Sequence, residues 1–325
     1  MKKFIIFIFV LILLSGCSVE EEETVLDLGI MIHIEGWTEE PSIESQFIDH
    51  AETVRNFATI LEDGGLRGTF EVRTEFIQAS KNWDDNVILE LYERGHGIGV
   101  HADWGGNLER DNLDQELFAH KLTVLKNELE DLIGLEVRHV SGICSELDWV
   151  EAAIDVGYEF TTGGVAFCVM SMPEENRPEE FKDCENPGAC HDAFPVDLED
   201  RIHPWRVSSG DNWIENDPDG ELVYFPSDNI FRGFSEEQKG DLSNIEFDEE
   251  DINIYFEKLD EALTYVEVGK VNTMYVSWSI GEIDEINDNE ELFDLWTERL
   301  EPYIDSGEVE WKTIPEMYDE FLEKE

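Results

Sequence analysis

Aliphatic runs and amphipathic segments alternate along most of this chain. Residues 25–34 and 273–279 are rich in β-branched and aliphatic residues, a pattern typical of strands buried on both faces of a parallel sheet. Residues 42–61 instead carry apolar side chains at helical spacing and are followed by Gly64-Gly65, which predicts the end of a helix. By the same criteria we predict strands at 67–72, 97–101, 136–140, 158–162, 221–225 and 308–312, and helices at 86–94, 113–132, 148–156, 249–266, 290–303 and the C-terminus.

Strands that alternate with helices predict an α/β fold with a parallel sheet covered by helices. Seven or eight such strands within residues 25–325 favour a single (β/α) barrel, and an open doubly wound sheet is the alternative. Residues 165–219 interrupt the alternation and contain most of the prolines and three of the cysteines, so we expect an irregular insertion there. In such barrels the active site lies at the C-terminal ends of the strands.

The first 24 residues have the features of an export signal followed by a tether. Lys2 and Lys3 precede an apolar stretch that is too short for a transmembrane helix, and small residues stand directly before Cys17. This predicts a signal over residues 1–17. The segment resembles the lipobox of prokaryotic lipoproteins, which implies a lipid anchor on Cys17 in the cell membrane; an ordinary signal peptide or an uncleaved anchor is the alternative. Residues 18–24, with four consecutive glutamates, indicate a solvated tether.

The charge of the chain argues against some classes of partner. Asp and Glu number 78 against 22 Lys and Arg, which gives a formal net charge of −56. Such a surface repels nucleic acid and anionic lipid headgroups, so we expect no nucleic-acid partner. The acidic residues are spread along the whole chain, which favours a solvated coat over one acidic binding face, and we expect a monomer.

Four cysteines remain once Cys17 is assigned to lipid. An even number in an exported protein predicts two disulfides, for which three connectivities exist. Cys184 and Cys190 flank a Glu-Asn-Pro-Gly-Ala turn, which favours this local pair and leaves Cys144 with Cys168. A zinc cluster of cysteines is the alternative, and the sequence lacks the Cys-x-x-Cys pair that would favour it.

Imidazoles and carboxylates recur where the predicted strands end. His33 and Glu35 follow the first strand and His101 and Asp103 the third, and the two members of each pair lie on one side of the strand. The other polar residues in comparable positions are Arg138 and His139 at the end of the fourth strand and Glu282 after the last long strand. Such a convergence is typical of a metal-assisted hydrolase, and solvated loop starts are the alternative.

Four short motifs follow one another along the chain: Gly-Thr-Phe-Glu-Val at 68–72, Gly-His-Gly-Ile-Gly-Val-His at 95–101, Arg-His-Val-Ser-Gly at 138–142 and Gly-Tyr at 157–158. In the same order they resemble the Ala-Thr-Phe-Phe-Val, Gly-His-Glu-Ile-Gly-Asn-His, Arg-x-Pro-Tyr-Gly and Gly-Tyr motifs of the polysaccharide deacetylase family, within the glycoside hydrolase/deacetylase barrels. The resemblance covers most of residues 25–325 and implies a metal-dependent deacetylase of a cell-surface or extracellular glycan. It is most specific at 95–101, whose last histidine binds metal in the family.

The chain departs from this family at several catalytic positions. The family begins with Thr-Phe-Asp-Asp-Gly, in which the first aspartate is a base and the second a metal ligand. Aligned on Gly36, this sequence has Ile34 in place of the base and Glu35 in place of the ligand. The family's second metal histidine falls on Gly105, and its late catalytic histidine has no counterpart in residues 275–279.

The remaining polar residues allow a modified site of the same kind. The resemblance implies a divalent metal, preferably zinc, held by Glu35, His101 and either Asp103 or His33. Glu282 is then the candidate for proton transfer.

A second group of residues is predicted to contact the substrate. Arg138, with His139 beside it, would orient a carboxylate or stabilise an oxyanion. Four residues of the insertion would form a lid over a glycan: His191, His203, Trp205 and Arg206. For Trp205 and Arg206, packing beneath the disulfide loop is an equally good interpretation.

Three functions of different classes follow from the sequence. The first is a metal-dependent deacetylase of a surface glycan. The second is a non-catalytic glycan-binding lipoprotein on the same barrel, which the missing base and histidine favour. The third is a glycosidase that uses two carboxylates, such as Glu35 and Glu282.

Overall fold

The computed structural model describes residues 24–104, 113–184, 187–226, 231, 234, 247–281 and 289–325. The predicted signal segment with Cys17, most of the tether, and Glu282 lie outside these residues. Among the helices that are described, none has the length and apolar character needed to cross a membrane.

The strands form one largely parallel sheet. Within the described residues they are β1 (Leu26–Ile34), β2 (Thr69–Val72), β3 (Gly97–His101), β4 (His139–Ser141), β5 (Phe160–Thr161), β6 (Trp205–Val207), β7 (Leu222–Tyr224), β8 (Thr273–Ile280) and β9 (Val309–Trp311). Their order is β6-β7-β5-β4-β3-β2-β1-β8, and β9 adds to β1 beside its first residues. Every pairing is parallel except that of β6 with β7. The sheet curls into a half-barrel, which confirms the predicted α/β barrel class.

Helices cover the outer face of this sheet. The described α-helices are α1 (Glu44–Asp63), α2 (Thr74–Asn82), α3 (Val87–Glu93), α4 (Gln115–Ile133), α5 (Trp149–Val156), α6 (Leu198–Arg201), α7 (Glu249–Ala262), α8 (Glu290–Ser306) and α9 (Ile314–Lys324). The predicted stops at Gly134 and Gly157 are confirmed, since both residues cap a helix in the left-handed conformation. Helix α2 and strand β6 were not predicted.

Side chains alternate between the outer helical layer and the barrel interior. On β1, Leu28, Ile30 and Ile32 pack in the outer core, whereas Met31 belongs to the interior cluster. The same alternation places Met274, Val276 and Trp278 of β8 outside and Tyr275 inside. Helix α9 contributes to the same interior cluster through Ile314, Met317 and Tyr318. The interior therefore has an apolar part beside α9, and polar residues are left for the C-terminal ends of the strands.

The insertion is held by short 3-10 turns and by two disulfides. Cys144 pairs with Cys168 and Cys184 with Cys190, with Cα–Cα distances of 4.5 Å and 6.0 Å. This is the predicted connectivity, and the alternative zinc cluster of cysteines is wrong. Disulfides of this kind are typical of proteins in oxidising compartments.

Candidate active site

Three predicted ligands converge at the C-terminal end of the barrel. His33 lies near the end of β1 with Glu35 directly after this strand, and His101 is the last residue of β3. The His101 Nε2 atom lies 3.0 Å from Glu35 Oε2, and His33 Nδ1 lies 3.8 Å from Glu35 Oε1. The two imidazole rings stack with centroids 3.9 Å apart. Strand β2 separates β1 from β3, so the barrel's curvature brings together residues that are neither sequence neighbours nor on adjacent strands.

Each histidine has its second nitrogen directed at a protein group. His33 Nε2 lies 3.2 Å from Glu71 Oε2, and His101 Nδ1 lies 2.7 Å from the hydroxyl of Ser141. The carboxylate of Glu35 is itself fixed by a 2.6 Å hydrogen bond from the Ser279 hydroxyl at the end of β8. Both rings and the Glu35 carboxylate are therefore fixed by other protein groups, and the atoms left to bind a metal face one another.

Glu71 lies beneath this group and is completely buried. Its Oε1 accepts a 2.7 Å hydrogen bond from Thr162 Oγ1 and lies 3.1 Å from His139 Nε2, while Oε2 accepts a hydrogen bond from Ser141. An ionised carboxylate in a barrel interior requires such compensation, because burial without partners is very costly. Polar side chains therefore also lie one layer deeper in the barrel, beneath the site.

The electrostatics of the cluster keep both carboxylates ionised. Burial acts to raise the pKa of Glu35, but His101, His33 and the Ser279 hydrogen bond hold it well below its usual range. Burial likewise opposes ionisation of Glu71, yet contacts with His139 and His33 keep its pKa well below the ordinary value. Burial of His33 acts to lower its pKa, and the carboxylates around it, first of all Glu71, raise it overall. The mouth of the barrel therefore contains acceptors that favour a cation.

The rim of the site includes a charged pair of Asp103, which was predicted, with Arg73, which was not. Asp103 follows β3 with a backbone φ of 50°, an uncommon conformation for a residue other than glycine. Its side chain is 56% exposed and forms an ion pair with Arg73, in which Asp103 Oδ2 lies 3.1 Å from Nη1 of the guanidinium. Its charge contributes to the raised pKa of His33. Asp103 does not belong to the group of ligand atoms that lie close together, so His33, and not Asp103, completes the predicted set.

Arg138 lies apart from this cluster. Strand β4 begins at His139, so Arg138 precedes the strand instead of following it. Its guanidinium pairs with Glu159 at 2.9 Å and Asp319 at 2.8 Å and lies over the Tyr318 ring of α9. The predicted position of Arg138 on the rim is therefore wrong, because the strand was placed too early in the sequence. His139 lies on Glu71, beneath the histidines and without exposure to solvent.

The predicted lid residues make other contacts. His203 lies 3.2 Å from Glu267, and Trp205 donates a 2.7 Å hydrogen bond to the Trp213 carbonyl. Arg206 pairs with Glu325 and lies over Phe321 in α9. His191 is exposed on the insertion. For Trp205 and Arg206, these contacts agree with the packing interpretation instead of a lid over the histidines.

Sequence reasoning missed Glu71, Ser141, Ser279 and Arg73. Glu71 carried a usable signal, because a glutamate inside a short apolar strand must find buried partners. It also replaces an aromatic residue in the motif that 68–72 resembles. The serines and Arg73 carried no comparable signal, since their positions at the site depend on the pairing of distant strands.

The donor set fits a divalent metal ion. The ligand atoms of His33, Glu35 and His101 all lie within 4.8 Å of one another. Two imidazoles and one carboxylate, with a position left for water or substrate, are the protein ligands of several catalytic zinc sites. Metal-binding histidines usually give their other ring nitrogen to a carboxylate, carbonyl or water, and Glu71 takes this place for His33.

Solved structures of low sequence identity share this architecture. A protein from Mycobacterium smegmatis that is assigned as a polysaccharide deacetylase has a TM-score of 0.56 at 13% identity, over 94% of this chain and 93% of that chain. Another from Pseudomonas aeruginosa PAO1, with the same assignment, has a TM-score of 0.52 at 11% identity, over 90% and 89% of the two chains. This chain has the polysaccharide deacetylase fold.

The deacetylase fold also supports other chemistry. A 4-α-glucanotransferase from Thermococcus litoralis matches with a TM-score of 0.54 at 15% identity, over 92% of this chain and 41% of that chain. No family model and no curated protein matches the sequence. Likeness at such identities establishes the fold alone, and the chemistry depends on the side chains at the site.

Proposed function

We propose that this protein is a divergent, metal-dependent deacetylase of an extracellular glycan, with His33, Glu35 and His101 as the metal ligands. One observation carries the proposal. Both imidazoles have one nitrogen engaged by a protein group and the other directed towards the same carboxylate. Such an arrangement supports ligation more than packing, because a histidine that serves only packing has no need of this shared orientation.

The reaction would be hydrolysis of an acyl group. Water adds to the carbonyl carbon, the C–N or C–O bond breaks, and acetate and the free amine or hydroxyl leave. A bound divalent ion would supply a Lewis acid that polarises the carbonyl and lowers the pKa of water. Two carboxylates of the chain are candidates for the accompanying proton transfer: Asp103, which Arg73 holds at the rim, and Glu282, whose role stays a prediction.

We also propose that the protein acts outside the cytoplasm and is anchored through Cys17. Two disulfides support an oxidising compartment, and the resemblance of residues 1–17 to a lipobox supports the anchor. A surface glycan would then lie within reach of the tethered barrel. Replacing Cys17 by Ser should release the protein from the membrane or block its processing, and unchanged membrane association in this variant would contradict the anchor.

A second candidate is an enzyme that cleaves or transfers glycosyl groups with two carboxylates. The fold shared with a glucanotransferase favours it, as does the depressed pKa of Glu35, which suits a nucleophile. The two imidazoles against Glu35 favour the metal site instead, since a nucleophilic carboxylate must be open towards the substrate. Binding of zinc distinguishes the two candidates.

The test combines metal binding with product analysis. Full-length protein, freed of metal, is titrated with zinc by calorimetry, and acetate release is followed with N-acetylated and O-acetylated sugar oligomers. Glu35→Gln and His101→Ala should each weaken zinc binding by more than about 100-fold, beyond the usual effect of losing an outer partner. Glu62→Gln is the control, because Glu62 contacts His96 at 3.0 Å in a similar pair away from this site.

The outcomes separate the hypotheses. Zinc binding that requires Glu35 and His101, together with zinc-dependent release of acetate, supports the proposal. Release of reducing sugar without bound metal supports the two-carboxylate enzyme. Zinc binding without turnover on any acetylated oligomer contradicts the deacetylase and supports a glycan-binding protein.

A further inference from the structure

We infer that the insertion supports the site from behind instead of covering it: through the Cys144–Cys168 disulfide it fixes the turn at Gly142, and this turn positions His101. This inference rests on the proposed metal site. It makes Gly142 a positioning residue, and it gives one of the two disulfides a role in metal binding that the other lacks.

The first step concerns the contact between this turn and the site. Gly142 follows β4 directly and has a backbone φ of 66°, a conformation that favours glycine. A Cβ atom at this position would lie 2.6 Å from the backbone nitrogen of Asp103 and 3.0 Å from Cε1 of His101. The Gly142 carbonyl also accepts a 3.0 Å hydrogen bond from the backbone N–H of Trp104. The end of β3 therefore rests against this turn, and a shift of the turn would move His101 with it.

The second step concerns the covalent link. Cys144 stands two residues after Gly142 and is joined to Cys168, which lies in the first 3-10 turn of the insertion and is fully buried. The two cysteines are 24 residues apart in sequence, and α5 and β5 lie between them. The disulfide is thus a direct connection across a long stretch of chain, and it limits how far the turn at Gly142 can move relative to the insertion.

The third step concerns the position of Cys168, which two buried indoles determine. Its carbonyl oxygen accepts hydrogen bonds from Trp149 Nε1 at 3.4 Å and from Trp213 Nε1 at 3.2 Å. Trp149 begins α5, whereas Trp213 belongs to the insertion, and their rings meet edge to face with centroids 5.3 Å apart. Because its carbonyl is held from both sides, Cys168 is a fixed point to which the disulfide can attach the turn.

A second attachment holds the far end of the loop of residues 142–148 between β4 and α5. The carboxylate of Asp148 accepts hydrogen bonds from Ser209 Oγ at 2.9 Å and from the backbone N–H of Gly210 at 2.7 Å, both in the insertion. The backbone of Asp148 is also bonded to the side chain of Gln115 at the start of α4. The loop is therefore held at both ends, and the disulfide at Cys144 is the attachment nearer to His101.

The first test removes each disulfide in turn from the full-length protein. Cys144→Ser/Cys168→Ser breaks the link to the turn, and Cys184→Ser/Cys190→Ser is the control, because it removes the other disulfide of the same insertion. Calorimetry with zinc reports the affinity of each folded variant. Hydrogen exchange of the Trp104 amide in metal-free protein reports whether its bond to the turn is kept, and this measurement does not depend on a metal.

The second test presses on the same contact while both disulfides stay intact. Gly142→Ala places a methyl group against Asp103 and His101. Gly134→Ala is the control, because Gly134 has a similar φ of 71° but a Cβ atom there would meet nothing within 4 Å. Both substitutions therefore strain the backbone alike, and only the one at Gly142 should disturb the proposed metal site.

Cys144→Ser/Cys168→Ser and Gly142→Ala should each weaken zinc binding by about 10–100-fold, as loss of an outer support of a metal ligand does. Exchange of the Trp104 amide should become faster in both, and the two controls should match wild type in both measurements. Unchanged zinc affinity in the folded variants, or an equal loss in the controls, would overturn the inference while leaving the metal site intact.

Two further outcomes are also decisive. If Cys144→Ser/Cys168→Ser does not fold, Trp213→Phe takes its place, since it removes one donor from the Cys168 carbonyl, and unchanged zinc affinity and exchange in that variant overturn the inference. If wild-type protein binds no zinc, the proposed function fails, and exchange at Trp104 decides alone. Faster exchange without Cys144–Cys168, but not without Cys184–Cys190, then supports the fixing of the turn, and equal exchange refutes it.

Discussion

The two ends of strand β1 hold carboxylates in opposite ways. At the C-terminal end, Glu35 faces the imidazoles of His33 and His101. At the other end, Asp27 faces the ammonium group of Lys312, with Nζ 2.8 Å from Oδ1. Lys312 also pairs with Glu310 and Glu320, and these two acids with Asp27 form a second group of ligand-type oxygens close together in the described part of the chain.

The difference lies in the source of the positive charge. A lysine brings its own cation, so the carboxylates around Lys312 have a partner of opposite charge within the chain, and the group is a structural ion-pair cluster. An imidazole that has given up its second proton offers a lone pair instead, so two such rings beside a carboxylate can be compensated by an ion from outside. Acidic groups thus form an ion-pair cluster with a lysine at one end of β1 and the proposed metal site with histidines at the other.

The surroundings agree with this contrast. Near Asp27, helix α9 covers the barrel interior with Ile314 and Met317, both fully buried. At the C-terminal end, the side chains of His33 and Glu35 keep 14% and 13% exposure, enough for an ion and a substrate group to reach them. At the closed end, which holds Asp27, β9 pairs with the first residues of β1 and α9 covers the interior. The open end is formed by the C-terminal residues of the strands.

The largest expected effect is loss of the cation at the closed end. Lys312→Met leaves the buried carboxylate of Asp27 without its counter-charge, and removal of one partner of a buried pair commonly costs about 3–5 kcal/mol. We expect the free energy of unfolding, measured by denaturant titration, to fall by an amount in this range. Lys182→Met is the control, because the pair of Lys182 with Glu179 is on the surface and its loss should change the free energy of unfolding far less. If the two substitutions lowered the free energy of unfolding equally, the stabilising role of the ion-pair cluster around Lys312 would be contradicted.

The second prediction concerns the pH dependence of the same end. Burial raises the pKa of Asp27 to about 7, although Lys312 opposes the shift. Because the folded-state pKa lies above the ordinary value, Asp27 binds its proton more tightly in the folded protein. Its contribution to stability is therefore complete below pH 4 and decreases as the pH rises through 7.

Asp27→Asn isolates this contribution, since the amide does not titrate. The free energy of unfolding of wild type minus that of Asp27→Asn should decrease between pH 4 and pH 7, with a slope of at most about 1.4 kcal/mol per pH unit. Burial acts to lower the pKa of Lys312, but its three carboxylates raise it overall, so Lys312 stays charged throughout this range. A difference that is flat or rises with pH would show that Lys312 compensates Asp27 fully.

The elements of the fold were predictable because they are local. The aliphatic run at 25–34 and the strand at 97–101 agree with β1 and β3 to within a residue, and these two strands position the proposed ligands. His33, Glu35 and His101 could therefore be predicted from period-two spacing and the rule that barrel sites lie at strand ends. No long-range information was needed for this part.

The positions of Arg138, Glu71 and strand β6 depend on the bounds and pairing of the strands, which local sequence patterns do not determine. Strand β4 begins at His139 and not near residue 136, and this small shift moves Arg138 from the mouth of the barrel to the start of a strand. Glu71 became part of the site because it pairs with His33 across strands that are far apart in sequence. Strand β6 is short and antiparallel, and its partners lie beyond an irregular insertion, so no local pattern indicated it.

The smallest expected effect concerns the hydrogen bond that orients Glu35 at the open end. Ser279 donates a 2.6 Å hydrogen bond to Glu35 Oε1, whereas Ser277 lies two residues earlier on the same face of β8. Ser279→Ala should lower zinc affinity by about 10-fold, at the lower limit for an outer partner of a metal ligand, and should reduce stability by only about 1 kcal/mol. Ser277→Ala makes the same chemical change without touching Glu35 and should leave the affinity unchanged. If both serines affect zinc binding equally, orientation of Glu35 by a specific hydrogen bond is refuted, and general polarity of the strand face explains the site instead.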